Sequence, residues 1–99
     1  MIKSFKHKGL ERLFIKGSAS GVQADYAPRI TLILDAIDAA EQVKELDLPG
    51  LRLHRLKGEK RNLWSMRVSA NWRITFEFDN GDAYILDYEK LLSGHPFDG

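Results

Sequence analysis

Apolar positions in the first half of the chain recur mostly at helical spacing, and those in the second half mostly alternate. Residues 2–6 alternate apolar and polar, which predicts a short first strand. Leu10, Leu13 and Phe14 then fall three and four apart, with Gly17 as a stop. The run Gly17-Ser18-Ala19-Ser20-Gly21 reads as a connector inside one domain, since neither flank is able to fold alone. Asp25 is a candidate N-cap, and Pro28 suits a first helical turn. Ile30, Ile33, Leu34, Ile37 and Ala40 share one helical face, while Asp35, Asp38, Glu41 and Glu45 lie mostly elsewhere. This pattern predicts a helix from Asp25 to about Leu46, closed by the turn at Pro49-Gly50.

Leu51 and Leu53 alternate with Arg52 and His54, and residues 58–62 read as a hairpin loop. Residues 63–68 and 72–78 predict strands joined by a short turn at 69–71. Asn80-Gly81 marks the clearest turn, because a tight hairpin needs positive φ there, and residues 83–88 predict one more strand. The order β-α-α-β-β-β-β implies an α+β fold over residues 1–99 as a single domain. Two N-terminal helices pack on one face of a mainly antiparallel sheet of four to five strands.

Ninety-nine residues bury only a modest core, so an active site must be assembled on the surface and meet a large substrate. The absence of cysteine excludes disulfide scaffolds and thiolate metal sites. No metal or other cofactor is expected. The first residues lack the apolar run of a secretory signal, and no stretch approaches the roughly 18 apolar residues of a membrane span. The expectation is a cytoplasmic protein with no membrane partner.

The net charge of +1 conceals a segregation. Residues 51–73 carry Arg52, Arg55, Lys57, Lys60, Arg61, Arg67 and Arg73 against Glu59 alone, a net +6. Residues 77–99 carry six acids against Lys90, a net −5. The basic block suits a polyanion such as nucleic acid, or is simply a set of strand side chains alternating into water. The acidic block suits either a protein partner or the basic block itself. The predicted helix from Asp25 is acidic, so this chain has no basic recognition helix for DNA.

Five segments in this order resemble the HigB branch of the RelE toxin superfamily. They are residues 2–10, residues 51–58 (Leu51-Arg52-Leu53-His54-Arg55-Leu56-Lys57-Gly58), residues 63–68 with Trp64-Ser65-Met66-Arg67-Val68, residues 71–78 with Asn71-Trp72-Arg73-Ile74-Thr75-Phe76, and Gly81-Asp82-Ala83-Tyr84. Together they span nearly the whole chain. The resemblance implies a microbial RNase fold and metal-free cleavage of mRNA in the decoding site of the 70S ribosome. It also implies a helix-turn-helix antitoxin as partner, with operator DNA reached only through that antitoxin.

Metal-free RNA cleavage attacks the phosphate with the neighbouring ribose 2′-hydroxyl. It needs a base for the 2′ proton, cations for the charge of the pentacovalent transition state, and an acid for the departing 5′ oxygen. Arg73 fits the cation, since in the family the matching arginine faces the scissile phosphate; a sheet arginine in an ion pair is the structural alternative. Arg67 is a second cation. His54 is a candidate acid or base, its residue type titrating near 6.5, and Lys57 a phosphate holder. Arg52, Arg55, Lys60, Arg61 and Asn71 are candidate contacts to RNA or ribosome, with Asn71 equally a turn residue. Trp64 and Trp72 read as core residues rather than base-stacking platforms, and His7, Phe5 and Tyr26 as structural.

The C-terminus departs from the family, whose members commonly finish with Asp-Tyr-His. Asp87-Tyr88-Glu89 matches with Glu in place of His, making Tyr88 a candidate catalytic tyrosine or a packing residue. Ungapped counting instead sets Lys90-Leu91-Leu92 there, where nothing matches, and His95 follows in the tail. Three readings stay open: an active endoribonuclease, a ribosome- or RNA-binding inhibitor that does not cut, and a disabled toxin acting only through its antitoxin as a co-repressor.

Overall fold

In the computed structural model, which describes residues 1–91, helix α1 spans Lys8–Lys16 and helix α2 spans Ala27–Ala39. Strands β1 (His54–Arg55), β2 (Trp64–Arg67), β3 (Trp72–Asp79) and β4 (Asp82–Lys90) form one antiparallel sheet in the order β1-β2-β3-β4. The α+β arrangement is the expected one, with both helices on one face of a four-stranded sheet. Met66, Ile74, Phe76 and Leu86 from the strands pack against Leu10, Ile30, Ile33, Leu34 and Ile37 from the helices, all at most 1% exposed. Each such side chain contributes roughly 1.5–3 kcal/mol of apolar burial.

Helix α1 is bounded by its own sequence. His7 caps it, its Nδ1 accepting from the Leu10 amide at 3.2 Å. Gly17 ends it in the left-handed conformation, φ 70°, donating to the carbonyls of Arg12 and Leu13. Pro28 lies in the first turn of α2, as expected. Asp25 does not cap that helix. It sits inside a 3-10 turn, Ala24–Tyr26, that leads directly into it, so Tyr26 occupies the capping position in a helical conformation.

Helix α2 is also shorter than its pattern predicts. It stops at Ala39, and Ala40 turns extended with ψ 133°. Gln42 and Glu45 then form a reciprocal capping box for a new 3-10 turn, Val43–Leu46, which buries Leu46. The local hydrogen bonds of that box compete with continuation of the helix, although the acidic positions keep a helical period.

Residues 2–6 do not form a regular strand. They make two isolated parallel bridges to β4, Ile2 with Ala83 and Phe5 with Leu86. A bulge in β4 breaks the ladder between them, at Ile85 with φ 50°. Alternation at residues 51–54 likewise yields only the two-residue β1, because Arg52 adopts φ 49° and interrupts the extended chain. Among the described residues no helix is long and apolar enough to cross a membrane.

The start of α1 meets the connector to α2 at a contact between two glycines. A Cβ built on Gly9 would overlap the Gly21 carbonyl, and one on Gly21 would overlap the Gly9 Cα. Gly9→Ala is therefore expected to destabilise the fold by about 1–3 kcal/mol, the usual cost of overpacking. Urea unfolding of the purified variant checks this through a lower midpoint at unchanged slope.

Candidate active site

Directly opposed residues of an antiparallel pair project from the same side of the sheet. Two rows of side chains therefore lie on the face away from the helices. One runs His54–Ser65–Thr75–Asp87 across all four strands; the next runs Arg67–Arg73–Glu89 across β2, β3 and β4. Strand alternation thus brings His54, Arg67 and Arg73 to one face. Arg73 and Thr75 are buried at 3% and 2% exposed, with Ser65 at 1%.

Glu89 organises this face. Its Oε1 accepts from Arg73 Nε at 3.3 Å and from Arg73 Nη2 at 3.1 Å. Its Oε2 faces Lys60 Nζ at 3.4 Å. Lys60 belongs to a 3-10 turn, Gly58–Lys60, in the loop joining β1 to β2, yet it reaches the strand at the other edge of the sheet. That loop therefore crosses the polar face. A buried guanidinium interacts strongly with any anion beside it, because the surrounding dielectric is low. The arrangement is an anion site in which a carboxylate of the chain itself bridges two cations.

Asp87 is the other acid on these two rows. It faces Lys6 Nζ at 3.9 Å and accepts from the Tyr88 amide at 2.9 Å, so it is directed toward the N-terminal segment. The +6 and −5 blocks of the sequence thus meet across β3 and β4, where Glu89 pairs with Arg73 and Lys60.

The remaining candidates divide clearly. Lys57 and Arg61 are exposed at the two ends of the loop turn, and Arg61 Nη1 donates to the Gly58 carbonyl at 3.5 Å. Arg52 is exposed, and its carbonyl lies 2.7 Å from His54 Nδ1, which orients that imidazole. Asn71 is exposed in the β2–β3 turn, where its carbonyl accepts from Leu91. Arg55 is not on the site face: its guanidinium lies 5.5 Å from the centroid of Trp64, and its Nε donates to the Arg61 carbonyl at 2.7 Å. Both tryptophans pack against the helix-side core, as expected.

Tyr88 is also on the helix side. It stacks on Trp72 at 4.7 Å, meets His7 edge-on at 5.6 Å, and donates its hydroxyl to Gln23 Oε1 at 2.7 Å. The structure therefore does not bring Tyr88 together with Arg73; its neighbour Glu89 takes that place. Sequence reasoning identifies Glu89 only as the residue standing where a histidine is common. The signal pointing further is the complementarity of the two charge blocks, combined with alternation along β4. Leu92 and His95 lie outside the described residues. Among the described residues no group of three His, Asp or Glu side chains is placed to hold a metal ion.

The family model for the RelE-like toxin of type II toxin-antitoxin system HigB matches residues 3–90. The chain is 58% identical over 89 residues to Endoribonuclease HigB of Proteus vulgaris, covering 90% of this chain and 97% of that protein.

Burial, and then the nearby Tyr26, push the Tyr88 hydroxyl up to about 12. A tyrosine raised above its unfolded value near 10 contributes stability that is fully present below about pH 10 and is lost as pH climbs toward about 12. Spectrophotometric titration is expected to show Tyr88 ionising last of the three tyrosines, and Tyr88→Phe to remove that final step.

Proposed function

The chain belongs to the RelE-like HigB toxin family of type II toxin–antitoxin systems, and on that premise we propose that it is an endoribonuclease that cuts translated mRNA on the ribosome. One structural observation carries the reading: strand register collects His54, Arg67 and Arg73 on a single sheet face, beneath a loop that carries Lys57, Lys60 and Arg61. A polar sheet face edged by exposed Lys57, Lys60 and Arg61 and by the partly open Glu89 suits a large, pre-positioned substrate. The ribosome supplies that positioning by holding the mRNA backbone in place.

The residues divide the work by chemistry. Arg73 and Arg67 stabilise the charge that grows on the phosphate oxygens as the 2′ oxygen attacks. Arginine suits this role because its planar guanidinium bridges two oxygens at once. Lys57 and Lys60 hold phosphate, and His54, oriented by the Arg52 carbonyl, moves a proton. Arg52, Arg61 and Asn71 lie exposed where RNA or ribosome would touch them. Arg55 and Tyr88 support the face from the helix side, through Trp64 and Trp72 respectively. Family membership supports an antitoxin partner; the helix-turn-helix antitoxin, the 70S ribosome, mRNA and a cytoplasmic setting complete the proposal.

Mapping 5′ ends of a translated reporter mRNA, with and without ribosomes, tests this. New cuts are expected only when ribosomes are present. Arg73→Ala is expected to lower the cleavage rate roughly 10²–10³-fold, the scale for losing one transition-state charge partner. The variant's melting curve controls for the loss of a buried ion pair. Undiminished cleavage would remove Arg73 from the mechanism, and arrested translation with intact transcripts would leave an inhibitor that binds without cutting.

A further inference from the structure

We propose that Glu89 is the general base of the cleavage reaction, held ready by Arg73 and Lys60 until the substrate phosphate replaces it between them. The proposal rests on the endoribonuclease reading and adds the residue that accepts the 2′ proton.

Four observations lead here. Glu89 lies in the same cross-strand row as Arg67 and Arg73, the two arginines of the face. Its carboxylate already occupies an anion position, with one oxygen on Arg73 and the other toward Lys60. It remains partly open, its side chain 28% exposed against 4% for Arg73, so an incoming ribose can reach it. Asp87, the competing carboxylate, is engaged by Lys6 and its own neighbour's amide.

The geometry gives the base a built-in trigger. With no RNA bound, Arg73 and Lys60 occupy the two carboxylate oxygens and keep them from the ribose. The Lys60 contact is exposed and easily exchanged. A phosphate brings more negative charge and more acceptor oxygens than a carboxylate, so it draws Lys60 and Arg73 to itself. Glu89 is then released beside the ribose, with its oxygens free to accept the 2′ proton.

The step balances without any further reactant. The 2′ O–H bond breaks and its proton passes to Glu89. The 2′ oxygen forms a bond to phosphorus while the bond from phosphorus to the 5′ oxygen breaks. That departing oxygen takes a proton from protonated His54. The products are a 2′,3′-cyclic phosphate and a 5′-hydroxyl end. Water returns both side chains to their starting protonation states.

Glu89→Gln separates a base from a mere ion-pair partner, since the amide oxygen still accepts from Arg73 but cannot take the proton. The test is single-turnover cleavage of ribosome-bound mRNA by the full chain across pH, with ribosome co-sedimentation measured alongside. The charged groups of the described residues beside Glu89 on its face, whose charge shapes the profile, are Arg73, Lys60, Arg67 and Asp87. Glu89→Gln is expected to slow cleavage by about 10²-fold or more, the usual scale for a general base. It should retain ribosome binding and lose the acidic limb of the pH–rate profile. Glu89→Asp keeps a carboxylate at a shorter reach and is expected to be slower than the parent, with that limb intact.

Cleavage by Glu89→Gln within threefold of the parent, or with its acidic limb unchanged, would overturn the base and leave Glu89 a positioning residue for Arg73. Equal loss in both variants with no limb in either would overturn it as well. Should Glu89→Gln fail to fold, the Glu89→Asp profile decides: an absent acidic limb in a folded Glu89→Asp overturns the proposal. If the parent chain itself makes no cut on ribosomes, the endoribonuclease reading fails and this proposal with it, an outcome distinct from every variant result.

Discussion

The bulge at Ile85 decides what this molecule can do. Glu77 pairs with Tyr84, but Thr75 pairs with Asp87, so β4 accommodates one residue more than β3 between those points. Continued without the bulge, the register from Glu77–Tyr84 would set Tyr88 opposite Arg73 and Glu89 opposite Trp72. The phenol would then lie on the polar face and the carboxylate in the helix-side core. One inserted residue exchanges them. A β-branched residue at positive φ costs about 1–3 kcal/mol, and the N-terminal segment offsets it. Ser4 Oγ accepts from the Ile85 amide at 2.8 Å, and the Ser4 carbonyl accepts from Leu86 at 3.1 Å. The short first segment thus clamps the irregularity that sorts the candidate functional residues between the two faces.

The same register resolves the segregated charge of the chain. An arginine at 3% exposure must be paired, because an isolated buried charge is costly. Glu89 supplies a partner from β4, and Lys60 reaches the same carboxylate from the loop between β1 and β2. The loop, a central strand and an edge strand therefore converge on one anion position. Such a position is useful to an enzyme acting on phosphodiesters, since the cations are fixed before the substrate arrives and need little reorganisation. Fold stability and the proposed anion recognition draw on the same contacts here.

Much of this was legible from periodicity and turn chemistry. Gly17 ends α1, Ile30 through Ile37 form the buried stripe of α2, and Asn80-Gly81 joins β3 to β4. Alternation was enough to group Arg67 with Arg73, because β2 and β3 pair without interruption. The misses share a physical cause. Local hydrogen bonding overrode a continuing pattern where the Gln42–Glu45 box ended α2 early, and left-handed residues broke an alternation at Arg52 and at Ile85. Neither Arg52 nor Ile85 announces positive φ, since the residue types that usually mark it are glycine and asparagine. The face of every residue after Ile85 was therefore beyond reach of the pattern, including the choice between Tyr88 and Glu89.

The altered C-terminus takes on a different weight in this light. Of the two alignments available for the family's terminal Asp-Tyr-His, one sets Asp87-Tyr88-Glu89 against it and the other Lys90-Leu91-Leu92. Asp87, Tyr88 and Glu89 are not a tail: they lie inside β4, paired with Thr75, Ile74 and Arg73. They also fall within residues 3–90, the span that matches the family model. Leu91 extends the pairing by one hydrogen bond, donating to the Asn71 carbonyl at 2.6 Å. Glu89, which meets Arg73, is thus held in place by sheet hydrogen bonds. A residue fixed in a strand is positioned more narrowly than one on a chain end, which suits proton transfer over hydrogen-bond distance. In the first of those alignments a strand carboxylate, which accepts a proton, stands where the family has an imidazole, which can also donate one. In that alignment the exchange fits the base role proposed for Glu89 rather than an acid role.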